Sequence, residues 1–255
     1  MRAVLATMRS AVAEATANRR ALVFQVAVMI LNDLAWIAFW ALFFRRAGTV
    51  RGWDFHRMIL LQAVLTTAGG LVLGVFANAR NIATLATNGG LDATLTLPVR
   101  PLAQLLVRRV EPTNFGDTIF GVALFAVAGH PTPMRAVVYL GSVVGAVVVL
   151  TSFLVLTGSL SFYAGRTDGG DLGFHAILLL GAYPVDVFGG SAKFLLYTVV
   201  PAAFVASVPA GLIGDFDATK AVWFAVVAAV FALLAARVFR AALRRYTSGS
   251  SWTRA

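Results

Sequence analysis

The chain contains 255 residues, of which 59% are hydrophobic and 13% are charged, and its mean hydropathy is +0.82. A water-soluble domain averages roughly 45–50% apolar and about 25% charged residues, so this composition excludes an ordinary soluble protein and predicts an outer surface that faces lipid. Cysteine is absent, which excludes disulfide frameworks, thiolate zinc sites and cysteine nucleophiles, and the net charge of +10 is interpreted first as an orientation signal rather than a nucleic-acid surface.

Residues 1–20 precede the first long apolar run and are interpreted as an amphipathic helix that lies on the inner membrane surface. Four apolar residues share one helical face of this segment, with the arginines elsewhere: Val4, Leu5, Met8 and Val12. Arginines beside an apolar stripe suit anionic lipid headgroups. The alternative is a solvated, frayed terminus.

Six apolar runs predict an all-α polytopic membrane protein with a single transmembrane domain over residues 1–255. The predicted spans cover about residues 21–44, 58–77, 115–129, 136–161, 172–183 and 220–238. Arginine pairs bracket the first span, which is longer than the apolar core of a signal peptide and is followed by no small-residue cleavage site. We therefore expect it to be retained as an anchor.

The apolar stretch from residue 172 to residue 214 is interrupted by prolines and glycines. Each proline removes a helical N–H donor, and broken backbone at membrane depth is tolerated only against protein or a wet cavity. The sequence therefore predicts one short span, 172–183, followed by a re-entrant or interfacial hairpin over residues 184–212, with Asp186 at its outer edge as either a gating or a merely solvated group. The residues that mark this segment are Tyr183, Pro184, Asp186, Pro201 and Pro209.

The distribution of basic residues predicts that both termini are cytoplasmic, because Lys and Arg concentrate in cytoplasmic loops. With six spans, the cytoplasmic segments contain 14 of the 21 basic residues: Arg2, Arg9, Arg19, Arg20, Arg80, Arg100, Arg108, Arg109, Arg166, Arg237, Arg240, Arg244, Arg245 and Arg254. The outer segments contain the other seven: Arg45, Arg46, Arg51, Arg57, Arg135, Lys193 and Lys220.

The longest inner connection, residues 78–112, has the character of a folded loop, and connections longer than about 12–15 residues are usually functional or disordered. A turn at residues 88–90 precedes a short helix-compatible stretch in which Asp92 favours the helix N-terminus, and Pro98 with Pro101 ends it. A short apolar helix outside the membrane has to pack on something. It either folds back on the helix ends of this chain or docks on a cytoplasmic partner, and the residues alone do not decide between the two.

This loop carries a resemblance to a known family. The stretch GLDATLTLPVRPLAQLL resembles the G-L-D, L-x-x-P, P-L signature between spans two and three of type-2 ABC transporter permeases, and most closely the bacterial six-span subgroup. The matching residues are Gly90, Leu91, Asp92, Leu95, Pro98, Val99, Pro101, Leu102 and Gln104. The order of the other segments agrees: an N-terminal amphipathic helix, six spans, and a proline-broken segment before the last span.

The resemblance implies that the loop holds a coupling helix, docked by a separate ATPase subunit around residues 90–101, and that the broken segment forms re-entrant helices on the outer side. The residues implied in coupling are Gly90, Leu91, Asp92, Leu95, Pro98 and Pro101. It also implies a second permease copy or a homologous permease as partner. No G-x-x-x-x-G-K-[ST] sequence exists in the chain, so ATP and Mg²⁺ are expected on the partner ATPase and no cofactor or metal is expected here.

Polar residues inside the first span are candidates for the translocation path, because intramembrane polar groups usually face a bundle interior or a cavity. By helical spacing, Gln25, Asn32 and Trp36 share one face and Asp33 lies one residue around from it. For the two amides, hydrogen bonds between helices are favoured over substrate contact. For Asp33, the alternatives are pairing with an arginine, binding of a cationic substrate, and a position nearer the outer interface.

Several other groups have structural explanations that we prefer to functional ones. Asp117 is interpreted as an acid in the first turn of a helix. The acidic pair Asp168 and Asp171 beside two glycines is interpreted as a turn with a helix cap rather than a metal-dependent enzyme site. The three histidines lie in separate segments without zinc-ligand spacing, and the glycine pairs 70/74 and 141/145 permit close helix contact without identifying a partner helix.

These observations predict the membrane subunit of an ABC exporter that moves a hydrophobic or amphipathic small molecule outward across a bacterial inner membrane. The direction comes from the resemblance. The first alternative is an ion-coupled secondary transporter that uses Asp33, which internal inverted repeats would support; no repeat of convincing length is present. The second alternative is a membrane enzyme centred on Asp168 and Asp171.

Overall fold

The structure is a computed structural model that describes residues 18–95, 101–164 and 169–246, together with Ser10 and Ala13. These residues form helices joined by short turns, and they contain no β-strand. The all-α prediction is therefore confirmed. Most of the predicted interfacial helix at residues 1–20 lies outside the described residues, as do Pro98 of the predicted coupling loop and Asp168 of the acidic pair.

Twelve α-helices are labelled here in chain order within the described ranges. They are α1 (Arg19–Ala47), α2 (Phe55–Val75), α3 (Ile82–Thr87), α4 (Asp92–Leu95), α5 (Pro101–Val107), α6 (Phe115–Ala128), α7 (Pro133–Ser159), α8 (Ser161–Ala164), α9 (Gly169–Gly181), α10 (Gly190–Thr198), α11 (Val208–Gly214) and α12 (Ala218–Leu243). Short 3₁₀ turns occupy Ala77–Ala79, Pro112–Asn114 and Val185–Val187, and a π-helical segment, Ala203–Ser207, leads into α11.

Each of the four longest helices begins directly after a residue whose side chain caps it. These helices therefore start slightly before the apolar runs. An oxygen of each capping side chain accepts a hydrogen bond from a main-chain N–H of the first turn, the usual way to satisfy these otherwise unpaired donors. The caps are Asn18 for α1, Asp54 for α2, Thr132 for α7 and Asp217 for α12.

Four of the described helices are long and apolar enough to cross a membrane: α1, α2, α7 and α12. The predicted third and fifth spans correspond to α6, with 14 residues, and α9, with 13 residues. Helices of these lengths extend about 20 Å, less than the roughly 30 Å of a bilayer core. The described residues thus provide four candidate spans, or five with the bent pair that follows, and the count of six stays a prediction.

The proline-broken segment is bent in the structure. Helix α10 and the helical stretch 203–214 together are long enough for one span, but they meet at 71° across a break that contains Pro201. A proline cannot donate the hydrogen bond that would continue the helix. A bend of this size occurs both in a broken span and in a re-entrant loop, so the hairpin over 184–212 stays a prediction.

Helix α2 is the centre of the bundle. Most of its residues are buried, whereas α1 is the most exposed of the long helices and lies on the outside. Two polar side chains within α2 find partners in its neighbours. Gln62 donates from Nε2 to the main-chain oxygen of Ala182 at 3.2 Å, and the hydroxyls of Thr67 and Tyr139 are 2.6 Å apart. Such hydrogen bonds hold neighbouring helices together where water is absent.

Glycines of α2 permit the close approach of α6. A Cβ atom at Gly70 would lie 2.6 Å from the main-chain oxygen of Asn114 and from the main-chain nitrogen of Thr118, and one at Gly74 would lie 3.0 Å from the Phe115 ring. The predicted small-x-x-x-small contact therefore exists, with α6 as the partner. In the second pair, Gly145 has the Phe224 ring of α12 against it, whereas Gly141 faces open space.

Replacement of Gly70 by alanine should lower the free energy of unfolding by about 1–3 kcal/mol, because the added methyl group meets main-chain atoms that cannot move independently. Gly141→Ala is the matched control: it makes the same change in a long helix where nothing lies within 4 Å of the new atom, and its effect should stay within about 0.5 kcal/mol. Thermal unfolding midpoints in one detergent compare the two variants. Equal midpoints would show that the α2–α6 contact is not tight.

Candidate functional site

The predicted coupling loop is a folded structure in the described residues. It contains α3, a turn, α4 and, after residues 96–100, α5. Gly89 has a φ of +73°, the left-handed conformation that glycine adopts without strain, and the main-chain N–H of Asp92 donates to its carbonyl oxygen at 3.2 Å. The predicted turn and the short helix that begins at Asp92 are therefore present where the sequence indicates them.

A small hydrophobic cluster holds the loop against the ends of the long helices. Leu91 is 1% exposed, and it packs with residues of the loop, of α7 and of α12. The buried members of this cluster are Ile82, Leu91, Leu105, Val155, Ala235 and Phe239. Burial of a leucine side chain contributes about 1.5–3 kcal/mol relative to leaving it in water. Leu91 therefore anchors the loop on its own chain.

Asp92 ties the loop to the residues that follow α12. The hydroxyl of Tyr246 donates to its Oδ1 at 2.8 Å. Partial burial, together with this hydrogen bond, raises the pKa of Tyr246 to about 12. The phenol therefore remains protonated and able to donate at any physiological pH. The two residues are 154 positions apart, and no local pattern in the sequence points to the contact.

Side-chain hydrogen bonds hold the second half of the loop, from α5 onward, against the first half. Arg108 donates to the carbonyl oxygen of Gly90 at 3.3 Å and to the hydroxyl of Thr94 at 3.2 Å. Asn78 donates to the carbonyl oxygen of Leu105 at 2.9 Å. These hydrogen bonds join parts of the loop that are far apart in the sequence, so the loop has a defined fold of its own.

Glu111 forms a second fixed point, where the loop rejoins the bundle. Its carboxylate lies 3.0 Å from a guanidinium nitrogen of Arg109 and 3.4 Å from one of Arg80, and Asn114 donates to it at 3.2 Å. Its main-chain N–H donates to the carbonyl oxygen of Gly74 at the end of α2. The loop is therefore attached to α2 at both of its ends.

The structure divides the predicted coupling residues into two groups. Gly90, Leu91 and Asp92 contact other residues of this chain. For that part of the loop, the structure agrees with the alternative in which the loop folds back on its own helix ends. Leu95, at the end of α4, is 41% exposed and presents an apolar side chain to the surroundings. Pro101 is half-buried and begins α5, and Pro98 lies outside the described residues.

The predicted path residues lie on the exposed helix α1. Gln25 and Asn32 are exposed, and Asp33 and Trp36 are half-buried. Asp33 is the middle residue of α1, about 21 Å from either end. It interacts electrostatically with Asp117, which lies in the first turn of α6 as the sequence predicts.

Trp36 meets the proline-broken segment. Its ring lies 6.1 Å from that of Tyr183, and the Trp40 ring lies 5.8 Å from the same tyrosine, both edge to face. Aromatic pairs in this geometry contribute about 0.5–1.5 kcal/mol beyond their buried area. The contact joins two groups of residues that are far apart in the sequence. One is the predicted path residues of α1, and the other is the proline-broken segment before the last span.

Asp186 lies at the opposite end of the bundle, where its 40% exposed side chain and its main-chain oxygen accept several hydrogen bonds. Its Oδ2 accepts from the indole N–H of Trp53 at 2.9 Å, its Oδ1 accepts from Lys193 at 2.6 Å, and its carbonyl oxygen accepts from Arg51 at 3.0 Å. Burial favours the neutral acid, but the hydrogen bonds from Lys193 and Trp53 outweigh it and lower the pKa of Asp186. The charged carboxylate thus connects the 48–54 turn to α10.

Two prolines of the broken segment take distinct positions. Pro184 precedes the turn Val185–Val187, whose first N–H donates to the hydroxyl of Ser207 at 2.9 Å. Pro209 lies in the first turn of α11, directly after the π-helical segment, where its missing donor costs least. The sequence identified the breaks but not the role of Ser207. Its hydroxyl accepts the hydrogen bond from the main-chain N–H of Val185.

The described residues contain no group of three or more metal-ligating side chains. Asp171 lies in the first turn of α9, and its carbonyl oxygen is 2.8 Å from a ring nitrogen of His175, which fits the predicted helix-start role. The rings of His56 and His130 lie 5.1 Å apart, a pairing that their separation of 74 positions conceals in the sequence.

A loop anchored at the end of a bundle of long apolar helices is the architecture of a polytopic membrane protein. The family comparison agrees: residues 30–250 match the family described as ABC-2 family transporter protein. The match covers most of the chain, so this protein belongs to the ABC-2 family, and the resemblance to type-2 ABC transporter permeases is confirmed. Separate comparisons with curated proteins and with solved structures each found no significant match.

Replacement of Tyr246 by phenylalanine should loosen the loop, because it removes the donor to Asp92 and leaves the ring in place. Hydrogen exchange of the 90–95 amides should accelerate by about fivefold, the equivalent of a hydrogen bond worth about 1 kcal/mol. Since the phenol of the unsubstituted protein stays protonated to about pH 12, its protection factors should be equal at about pH 6 and about pH 9.

Tyr163→Phe is the matched control for this change, because Tyr163 is an exposed tyrosine at the same end of the bundle. Its loss of a hydroxyl should leave the 90–95 amides unaffected. Equal acceleration in both variants, or none in Tyr246→Phe, would show that the hydrogen bond does not hold the loop.

Proposed function

We propose that this chain is the permease subunit of an ATP-driven ABC exporter that moves a hydrophobic or amphipathic small molecule outward across a bacterial inner membrane. Membership of the ABC-2 family carries the transporter assignment. The direction and the substrate class follow from the resemblance and from the scarcity of charge within the long helices. ATP and Mg²⁺ belong to a separate ATPase subunit, and this chain supplies the membrane path rather than a catalytic site.

The ATPase docks on the exposed part of the coupling loop. Leu95 offers an apolar side chain there, and basic groups nearby, including the 57% exposed Arg109, suit an acidic partner surface. Because Leu91 and Asp92 hold the loop on α7 and α12, a displacement of the docked ATPase is passed to those helices. Closure of the ATPases on nucleotide then shifts the bundle between two access states.

A second permease copy, or a homologous permease, packs on the exposed side of α1. That helix has large apolar side chains on its outer face, among them Phe24, Leu31 and Leu42, each more than 60% exposed. Polar Gln25 and Asn32 are exposed beside them. Pairing across this face places the polar groups between two subunits, where intramembrane polar groups are normally found.

The proposed orientation places both termini and the coupling loop in the cytoplasm. Arg80, Arg108 and Arg109 each contact a residue of the loop, and Arg51 and Lys193 both contact Asp186 at the other end of the bundle. The excess of basic residues at the loop end, counted over the whole sequence, favours that end as the cytoplasmic one.

Leu95→Asp should reduce recovery of the ATPase subunit by about tenfold or more, because a charge replaces an apolar contact at the centre of the docking face. The assay is co-purification from cells that express the permease with the ATPase chain of its own operon, recognised by a G-x-x-x-x-G-K-[ST] sequence. Leu160→Asp is the matched control: it makes the same change at an exposed leucine just beyond α7, outside the loop.

Recovery equal to that of the unsubstituted protein for both variants would contradict docking at Leu95. Equal loss in both would assign the effect to a general disturbance of this end of the bundle. Failure to recover any ATPase with the unsubstituted protein would contradict the exporter proposal itself.

Asp33→Asn should slow ATP-dependent transport of a lipophilic cation such as ethidium several-fold and leave transport of a neutral dye unchanged, because a charge near the middle of α1 attracts only the cation. Asp215→Asn, at an exposed carboxylate at the outer end, is the control. Both are measured in inverted membrane vesicles. Transport that follows a proton gradient and ignores ATP would support the ion-coupled alternative instead.

A further inference from the structure

A polar cavity of about 460 Å³ opens at the outer end of the bundle, between the 48–54 turn, the broken segment and the start of α12. Its charged wall includes the basic residues Arg51, Arg57 and Lys220 and the acidic residues Asp186 and Asp215, and its aromatic wall includes Trp223 and Phe224. The cavity therefore has a charged side, on which basic residues outnumber acidic ones, and an apolar side. We call it the polar cavity.

An apolar groove of about 520 Å³ runs between α7 and α12 and adjoins the polar cavity. Leu212 and Phe224 line both spaces. The groove extends along α7 from Met134 to Val148, about 21 Å, and Gly141 leaves it open because no side chain occupies that point. One bilayer leaflet is about 15 Å deep, so the groove is long enough to follow a lipid chain through it.

The charges of the polar cavity leave a basic group available to an anion. Asp215 is paired with Arg57 at 3.1 Å, and Asp186 is already bound by Lys193 and Trp53. Arg51 donates one hydrogen bond, to the main-chain oxygen of Asp186, and interacts electrostatically with the carboxylate of that residue, but within the described residues it forms no ion pair shorter than 4 Å. The remaining guanidinium donors of Arg51 suit a phosphate group, which accepts several hydrogen bonds at once.

We propose that the polar cavity and the apolar groove together bind one anionic phospholipid of the surrounding leaflet. The phosphate group meets Arg51 at the level of the headgroups, and one acyl chain lies in the groove beside Gly141. From the polar cavity to the groove, the lining changes from basic to aromatic to apolar. This order matches a lipid, in which an anionic headgroup is followed by apolar acyl chains. A second protein copy whose apolar surface filled the groove would leave Arg51 without an anionic ligand. This proposal does not depend on the direction or substrate of transport.

The test is lipid binding to the full-length detergent-purified protein, followed by native mass spectrometry. Phosphatidylglycerol and phosphatidylcholine with the same acyl chains are titrated separately, so that only the headgroup differs. The unsubstituted protein should retain the first phosphatidylglycerol more tightly than phosphatidylcholine. Arg51→Gln should reduce that preference on the order of fivefold, the effect of about one basic residue near an anionic headgroup.

Arg46→Gln is the matched control for the charge, because Arg46 is a basic residue at the same end that does not line the cavity. It should leave the first binding step unchanged. Equal effects of the two substitutions would show that phosphatidylglycerol responds to the general charge of this surface, and the proposal would be wrong.

Gly141→Leu tests the groove, because nothing lies within 4 Å of the new Cβ atom and the side chain takes up space that the acyl chain would occupy. First-site affinity for both lipids should fall several-fold, because the acyl chain loses van der Waals contacts with the groove. Ala126→Leu places the same side chain at an exposed position of α6 and is the control. If Gly141→Leu proves unstable, Gly141→Ala gives a smaller effect in the same direction.

Unchanged affinity in Gly141→Leu and Gly141→Ala would contradict the groove as the chain site. A further measurement separates lipid from protein as its occupant. The chain has no cysteine, so Val144→Cys introduces a single thiol in the groove. Rapid disulfide-linked dimer formation in liposomes would show that a second copy fills the groove, which would overturn the proposal; absence of the dimer supports it.

Discussion

The burial of α2 is the constraint on which the rest of the structure depends. In a bilayer, a helix gains little by exchanging lipid for protein, so a central helix has to be held by close packing and by hydrogen bonds. Helix α2 meets that requirement with Gly70 and Gly74 against α6, and with Gln62 and Thr67 bonded to neighbouring segments. Its ends lead directly into the 48–54 turn and into the loop over residues 78–112, so its position fixes theirs.

The loop over residues 78–112, for which we propose the coupling role, combines two physical properties in one short segment. Buried Leu91 and hydrogen-bonded Asp92 attach it to α7 and to the chain after α12, while Leu95 remains open to a partner. A docking element has to be rigid toward its own chain if it is to transmit force rather than absorb it. The self-packing and partner-docking interpretations of the loop are therefore compatible, since they apply to different residues.

The opposite end has a different organisation, in which charge rather than apolar burial makes the contacts. The carboxylate of Asp186 accepts hydrogen bonds from Trp53 and Lys193, its main-chain oxygen accepts one from Arg51, and charged residues line the cavity beside it. Hydrogen bonds of this type need no large apolar surface. The aromatic contact of Tyr183 with Trp36 then links this end to α1.

The sequence by itself determined the membrane class, the family and the approximate bounds of the four longest helices, because hydropathy, charged flanks and capping residues act locally along the chain. It also located the folded loop between α2 and α6 and the proline breaks. Only the tertiary structure decided which helix is buried, that Asp33 and Asp117 lie close enough to interact electrostatically, and that Asp92 meets Tyr246. The reason is that lipid-facing and protein-facing apolar residues are alike in sequence, and contacts between distant residues depend on how the helices pack.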